Sequence, residues 1–306
     1  MHQVIAICIA ICGPAANYEP DFVALYKPLE FRYTGGGYLD EVFLYRLHSP
    51  DTTGPTDKKP LIVWLNGHGE AGRDNILQLR YLSQLMFRPP HVRSRFPFFL
   101  LAVQSPPENP DWTAADGSKS VDDMVNVVHA ILQQTVRDHP VDRERIYLAG
   151  ISSGGGGCWE LAIRHPTIFA AVAPISSSGS QRPELAKLRG IPIWAFNCSR
   201  DTSTPIERIR ETVESLRDAG GVVHLTEVNS ELHDAWTAAF EQYHLLDWLL
   251  SQRRDQPSPA PGTIPLTARL QDFLNGWLWW QLLLQVATPI LLCLVVWNAF
   301  HRRRMR

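Results

Sequence analysis

Arg145-Ile146-Tyr147-Leu148-Ala149-Gly150-Ile151-Ser152-Ser153-Gly154 decides the fold of this chain. An apolar, β-favouring run ends in G-x-S-x-G. It passes directly into a glycine-rich helix start, Gly154-Gly155-Gly156-Gly157-Cys158-Trp159-Glu160-Leu161-Ala162-Ile163. Strand, sharp turn and helix form the context in which G-x-S-x-G makes a nucleophile elbow. Glycine is required at 150 and 154 because the backbone comes close to itself on both sides of the serine, where a Cβ would clash. The spacing selects Ser152. Gly150 and Gly154 flank it at two residues, whereas Ile151 stands two before Ser153.

A serine hydroxyl needs a base to take its proton, and the base needs an acid to hold it. In sheets of this type the order along the chain is serine, acid, histidine. His165 ends the helix after the elbow, and His224 lies inside the apolar run 222–226. His233 follows that run on a loop before the last helix, the position from which an imidazole can reach over the sheet. His244, in that helix, is the competitor. Ile191-Pro192-Ile193-Trp194-Ala195-Phe196 reads as a buried parallel strand. Asp201 is the only carboxylate in the loop after it. Thr204 is better placed than Asp201 to cap the helix that begins near Pro205.

Pro60-Leu61-Ile62-Val63-Trp64-Leu65 is another buried strand, followed by Asn66-Gly67-His68-Gly69-Glu70-Ala71-Gly72. Glycines there let backbone N–H groups approach a substrate oxygen. One oxyanion donor is assigned to the His68 N–H, with Gly67 as the alternative. The other is the N–H of Ser153, the residue after the nucleophile.

These motifs, in this order, resemble the α/β-hydrolases of the carboxylesterase type. The nearest kinds are the phospholipase/carboxylesterases, the polyhydroxyalkanoate-depolymerase-like esterases and the "predicted peptidase" relatives. The resemblance spans roughly residues 40–254. It rests on 60–75, Ala102-Val103-Gln104-Ser105-Pro106, the elbow, Ala171-Val172-Ala173-Pro174-Ile175, the Asp201 loop and His233-Asp234-Ala235-Trp236. It implies ester hydrolysis through an acyl-enzyme, with Ser152, Asp201 and His233 at the family's triad positions. Peptidase or acyltransferase chemistry would use the same triad, and a catalytically silent binding module is a further alternative. Three positions depart from the family pattern. Asn66-Gly67 and Asn197-Cys198 stand where His-Gly is usual, and Leu232 stands where a glycine usually precedes the histidine.

Strands are expected near 41–47, 61–65, 98–103, 145–150, 170–175, 191–196 and 222–228. Helices are expected near 75–86, 121–138, 154–164, 205–219 and 236–251, with a leading hairpin at 28–39. Strands alternating with helices predict an α/β fold with a mainly parallel central sheet and helices on both faces. The net charge of −2 gives no basis for nucleic-acid binding. No zinc-type Cys/His spacing or phosphate-binding glycine loop is present, so no metal or cofactor is expected. The expected partners are a small ester substrate and a lipid bilayer.

The bilayer enters through the tail. Residues 273–300 contain no charged side chain. The stretch 277–300 is 24 residues, where about 20 cross a bilayer as helix. Tryptophans stand at both ends of it, as an aromatic belt would place them. His301-Arg302-Arg303-Arg304-Met305-Arg306 follows, which by the positive-inside rule puts the C-terminus in the cytoplasm and residues 17–254 on the other side. The Pro-rich segment 255–272 is the tether. At the other end Val4-Ile5-Ala6-Ile7-Cys8-Ile9-Ala10-Ile11-Cys12, followed by Gly13-Pro14-Ala15-Ala16, reads as a signal peptide over 1–16; a buried first strand is the alternative. Cys158 and Cys198 remain in the exported domain, either as a disulfide or as two buried thiols.

Overall fold

A computed structural model describes residues 20–52, 54–82, 97–112, 119–180, 183–256 and 260–262. Eight strands form one sheet: β1 (Tyr26–Gly35), β2 (Tyr38–His48), β3 (Lys59–Leu65), β4 (Phe99–Val103), β5 (Val141–Ile151), β6 (Ala171–Ile175), β7 (Ile193–Cys198) and β8 (Val223–Val228). Their spatial order is β1-β2-β4-β3-β5-β6-β7-β8. The leading hairpin is antiparallel, and β2 joins β4 antiparallel. From β4 onward every pairing is parallel.

The period-2 alternation of each central strand feeds two cores. In β3, Leu61, Val63 and Leu65 point into one, and Ile62 and Trp64 into the other. The first core is closed by α2 (Lys119–Asp138), α3 (Ser153–Arg164) and α4 (Ile206–Asp218). The second is closed by the short α1 (Pro20–Val23) and by α5 (Ala235–Glu241) and α6 (Leu245–Ser251). β3, β4 and β6 are apolar almost throughout because both their faces are covered.

Two expected helices differ. Over its first seven residues the helix expected at 75–86 holds instead a single 3-10 turn, Leu77–Leu79, and helix begins only at Leu82, where the described stretch ends. Asp74 Oδ1 accepts the N–H groups of Ile76 and Leu77, and Asn75 has a φ of 55°, which sets a turn instead of a helix start. The helix expected at 236–251 is two helices separated at His244, whose φ is 53°. At 100° per residue, Leu245 would lie opposite Trp236 on one continuous helix. The left-handed residue turns the chain so that Leu245, Trp248 and Leu249 enter the same core as Trp236 and Phe240.

Among the described residues no helix is long and apolar enough to cross a membrane. The leader 1–16, the span 273–300 and the tail 301–306 lie outside the described residues, as does most of the tether. The last turns of the domain are tied down at the amino end of β5. Arg254 makes a two-pronged pair with Glu144, and Arg253 contacts Asp142 and Asp255.

Candidate active site

The site forms at the carboxyl ends of four parallel strands, where open α/β sheets gather their functional loops. Ser152 follows β5, Gly67 follows β3, Asp201 follows β7 and His233 follows β8. Ser152 sits at the turn between β5 and α3 with φ 54° and ψ −120°, a strained conformation that lifts its side chain off the sheet. Its N–H is held by the Ile175 carbonyl at 2.9 Å and its carbonyl by the Gly156 N–H at 3.2 Å. The two glycines act through close approach. A Cβ on Gly150 would lie 2.5 Å from the Gly154 carbonyl oxygen, and one on Gly154 would lie 2.2 Å from that of Leu65.

His233 Nε2 lies 2.9 Å from Ser152 Oγ, and Nδ1 lies 2.5 Å from Asp201 Oδ2. With Asp201 ionised, Nδ1 carries the proton and Nε2 presents a lone pair to the serine hydroxyl. Residues 81 positions apart in the chain thus share one hydrogen-bonded chain. The competitor His244 lies instead at the break between α5 and α6, with Nδ1 3.8 Å from Asp247. His165 and His224 lie elsewhere, stacked on His129 and edge-on to Trp194 respectively.

Asp201 is almost fully buried. Burial pushes its carboxyl up, but the bonds from His233 and Thr204 outweigh that and hold it below the usual carboxylate range. Its oxygens accept the N–H groups of Ser203 and Thr204 and the Thr204 hydroxyl at 2.7 Å. Thr204 therefore holds the acid instead of capping α4, whose N-cap, Pro205, has no side-chain cap bond. Sequence reasoning named Thr204 but gave it the wrong partner, because capping and holding the acid call for the same hydroxyl. Two further residues position this loop, Ser176, which carried no sequence signal, and Trp236, which stood in the quoted motif without a role. The Ser176 hydroxyl accepts the Ala235 N–H and so anchors the start of α5 just after His233. Trp236 packs edge-on to the His233 ring, with centroids 5.7 Å apart.

The loop after β3 turns tightly through a 3-10 turn, His68–Glu70, with Gly67 at its N-cap. A Cβ on Gly67 would sit 3.4 Å from Ser152 Cβ and 2.8 Å from Glu70 Oε2. The Glu70 carboxylate thus folds back against Gly67. The His68 ring is exposed and pairs with Asp111 at 2.9 Å. Ser153, first residue of α3, has its N–H among the helix-start donors that lack an intrahelical acceptor.

The family departures build these loops. Asn66 is fully buried. Its amide donates to the Gly67 carbonyl and the Ser105 hydroxyl and accepts the Ser105 N–H, stapling the turn to the loop after β4. Asn197 donates to the Thr204 carbonyl. Leu232 is exposed and is not among the residues of positive φ, so nothing in the backbone there calls for glycine.

The family model "Esterase PHB depolymerase" matches residues 108–184, which include the elbow. A solved thermostable esterase is 29% identical with a TM-score of 0.68, over 76% of this chain and 64% of that one. The fold is that of an α/β-hydrolase. The chain thus spans just under two thirds of the thermostable esterase it matches. An acylaminoacyl peptidase from Pyrococcus horikoshii shares the hydrolase fold at 15% identity and a TM-score of 0.55, over 77% of this chain and 43% of that one. A ferulic acid esterase does so at 17% and 0.53, over 71% and 96%. No curated protein matches the chain. Cys158 and Cys198 are both free thiols, each buried in a different core of the hydrolase. Among the described residues no group of His, Cys, Asp and Glu could hold a metal ion.

Proposed function

We propose that this chain is a serine hydrolase that cleaves carboxylic esters through an acyl-enzyme. The observation that carries the reading is the hydrogen-bonded chain Ser152–His233–Asp201 at the ends of three neighbouring loops. His233 Nε2 takes the Ser152 proton as Oγ attacks the ester carbonyl, and Asp201 stabilises the imidazolium that results. The tetrahedral oxyanion is held by the N–H groups of His68 and Ser153, donors fixed before the charge develops. Collapse expels the alcohol, which leaves with the proton from His233. Water then enters, gives its proton to His233 and releases the acid, and the proton returns to Ser152.

The tail and leader add a membrane setting to this reading. A single span over 273–300, a cytoplasmic basic tail and an exported catalytic domain are supported by the hydropathy and charge of those segments. Protease protection of tagged termini in sealed vesicles tests that topology; a protease-accessible C-terminus on the outer face refutes it.

The catalytic reading is tested with a fluorophosphonate probe on the full-length chain, locating the adduct by mass spectrometry. One adduct on Ser152, abolished in Ser152→Ala together with ester turnover, is the expected result. Full turnover in Ser152→Ala sinks the mechanism.

A further inference from the structure

Glu70 is a buried carboxyl that the hydrolytic steps above do not use, yet it lies at the centre of the oxyanion turn. It is 5% exposed. It is the third residue of the turn that Gly67 caps; its carboxylate folds back on Gly67, where a Cβ would sit 2.8 Å from Oε2, while its own N–H donates to the Gly67 carbonyl at 3.1 Å. That is the reach-back half of a capping box, which satisfies an otherwise orphaned donor and fixes the angle at which the chain enters the turn. The same turn is stapled from behind, where Gln104 donates to the Glu70 carbonyl. The neighbouring backbone is the elbow itself, since the Cβ position of Gly67 approaches both the Glu70 carboxylate and Ser152 Cβ.

We propose that Glu70 is a positioning residue for the ester hydrolysis, its carboxylate holding Gly67 so that the adjoining His68 N–H points at the developing oxyanion. The proposal rests on Ser152 being the nucleophile. Three charged or titratable groups face the Glu70 carboxyl. Arg80 lies 3.9 Å away, His68 is in the same turn, and His233 comes from the loop after β8. Burial raises the carboxyl to about 7, against the pull of these groups and of the Gly67 N–H. Glu70 therefore changes charge in the working range of a histidine base. The ionised form grips Gly67 more strongly, since a bond to a charged acceptor is roughly twice as strong as a neutral one. The wild-type kcat/KM should then fall partway as pH drops through about 7 and Glu70 loses its charge.

The test uses the full-length chain with Glu70→Ala and Glu70→Gln, assayed with a soluble ester across pH 5 to 9. Glu70→Ala is expected to lower kcat by about 10- to 100-fold with little change in KM, because the donor it misplaces acts in the transition state. Glu70→Gln keeps only a neutral acceptor for Gly67, as protonated Glu70 does, and is expected to turn over at pH 8 between Glu70→Ala and the wild type. Its pH profile should lack the partial fall in kcat/KM that the wild type shows as pH drops through about 7. An unchanged kcat in Glu70→Ala overturns the proposal, and so does a Glu70→Gln acid limb that superimposes on the wild type. If Glu70→Ala does not fold, the Glu70→Gln profile alone decides. Fluorophosphonate labelling separates the two readings. A labelled wild type with unaffected Glu70 variants overturns the Glu70 proposal only, whereas an unlabelled wild type overturns both.

Discussion

Gly154→Ala is the substitution through which the elbow can be tested without touching a reacting atom. The added Cβ would sit 2.2 Å from the Leu65 carbonyl oxygen and 2.5 Å from that of Asn66. Ordinary contact begins at 3.4 Å, so the first of these is short by about 1.2 Å. Both partners are backbone, at the end of a central strand paired on both sides. Neither can rotate away as a side chain would, so β3 and α3 must part by something near that distance. Overpacking of this kind costs about 1–3 kcal/mol, which lowers Tm by roughly 2–12 °C in a domain of this size. The functional cost is larger. Leu65 and Asn66 lead straight into Gly67 and His68, so the same shift moves the oxyanion turn away from Ser152. A misplacement of about 1 Å is worth on the order of 100-fold in rate. The assay is ester turnover and thermal unfolding of the full-length chain, with Gly69→Ala as control. Nothing lies within 4 Å of a Cβ at Gly69. A Gly154→Ala chain with wild-type kcat and Tm would refute the close-approach argument.

Thr204→Val removes the hydroxyl that donates to the same Asp201 oxygen as His233. Turnover should fall about tenfold with KM unchanged, the size expected for one bond to a charged acceptor; kinetics at pH 8 check this, and an unaffected kcat sinks it. His165 is stacked on His129 at 3.7 Å, and burial, then the neighbouring His129 and Arg164, lower its pKa to about 4. The unfolded chain takes up that proton near 6.5 and the folded chain does not. Stability is therefore full above pH 6.5 and declines as pH falls toward 4, by on the order of 1–2 kcal/mol from this part-exposed group once solvent screening is discounted. Denaturant melts of His165→Phe against wild type should show that much less loss over this window; parallel curves would refute it.

The elbow turn, and the loops that bring Asp201 and His233 to Ser152, were legible because each constraint is local. G-x-S-x-G needs only its own backbone to demand two glycines, and Asp201 and His233 each stand alone in a loop after an apolar strand. The parallel sheet was legible for the same reason, since strands covered on both faces must be apolar throughout. What the sequence could not supply was the partner of each polar group. Thr204 could cap a helix or hold an acid, and only the packing of the β7 loop against the β8 loop decides that it holds Asp201. Glu70 read only as part of a glycine-rich loop, and the fold is what lays its carboxylate against Gly67. The break at His244 follows from the need to bring Leu245, Trp248 and Leu249 to a core that a straight helix would turn them away from. Local chemistry in the chain determined which groups could react; long-range burial and hydrogen-bond satisfaction, which no spacing encodes, decided how they are held.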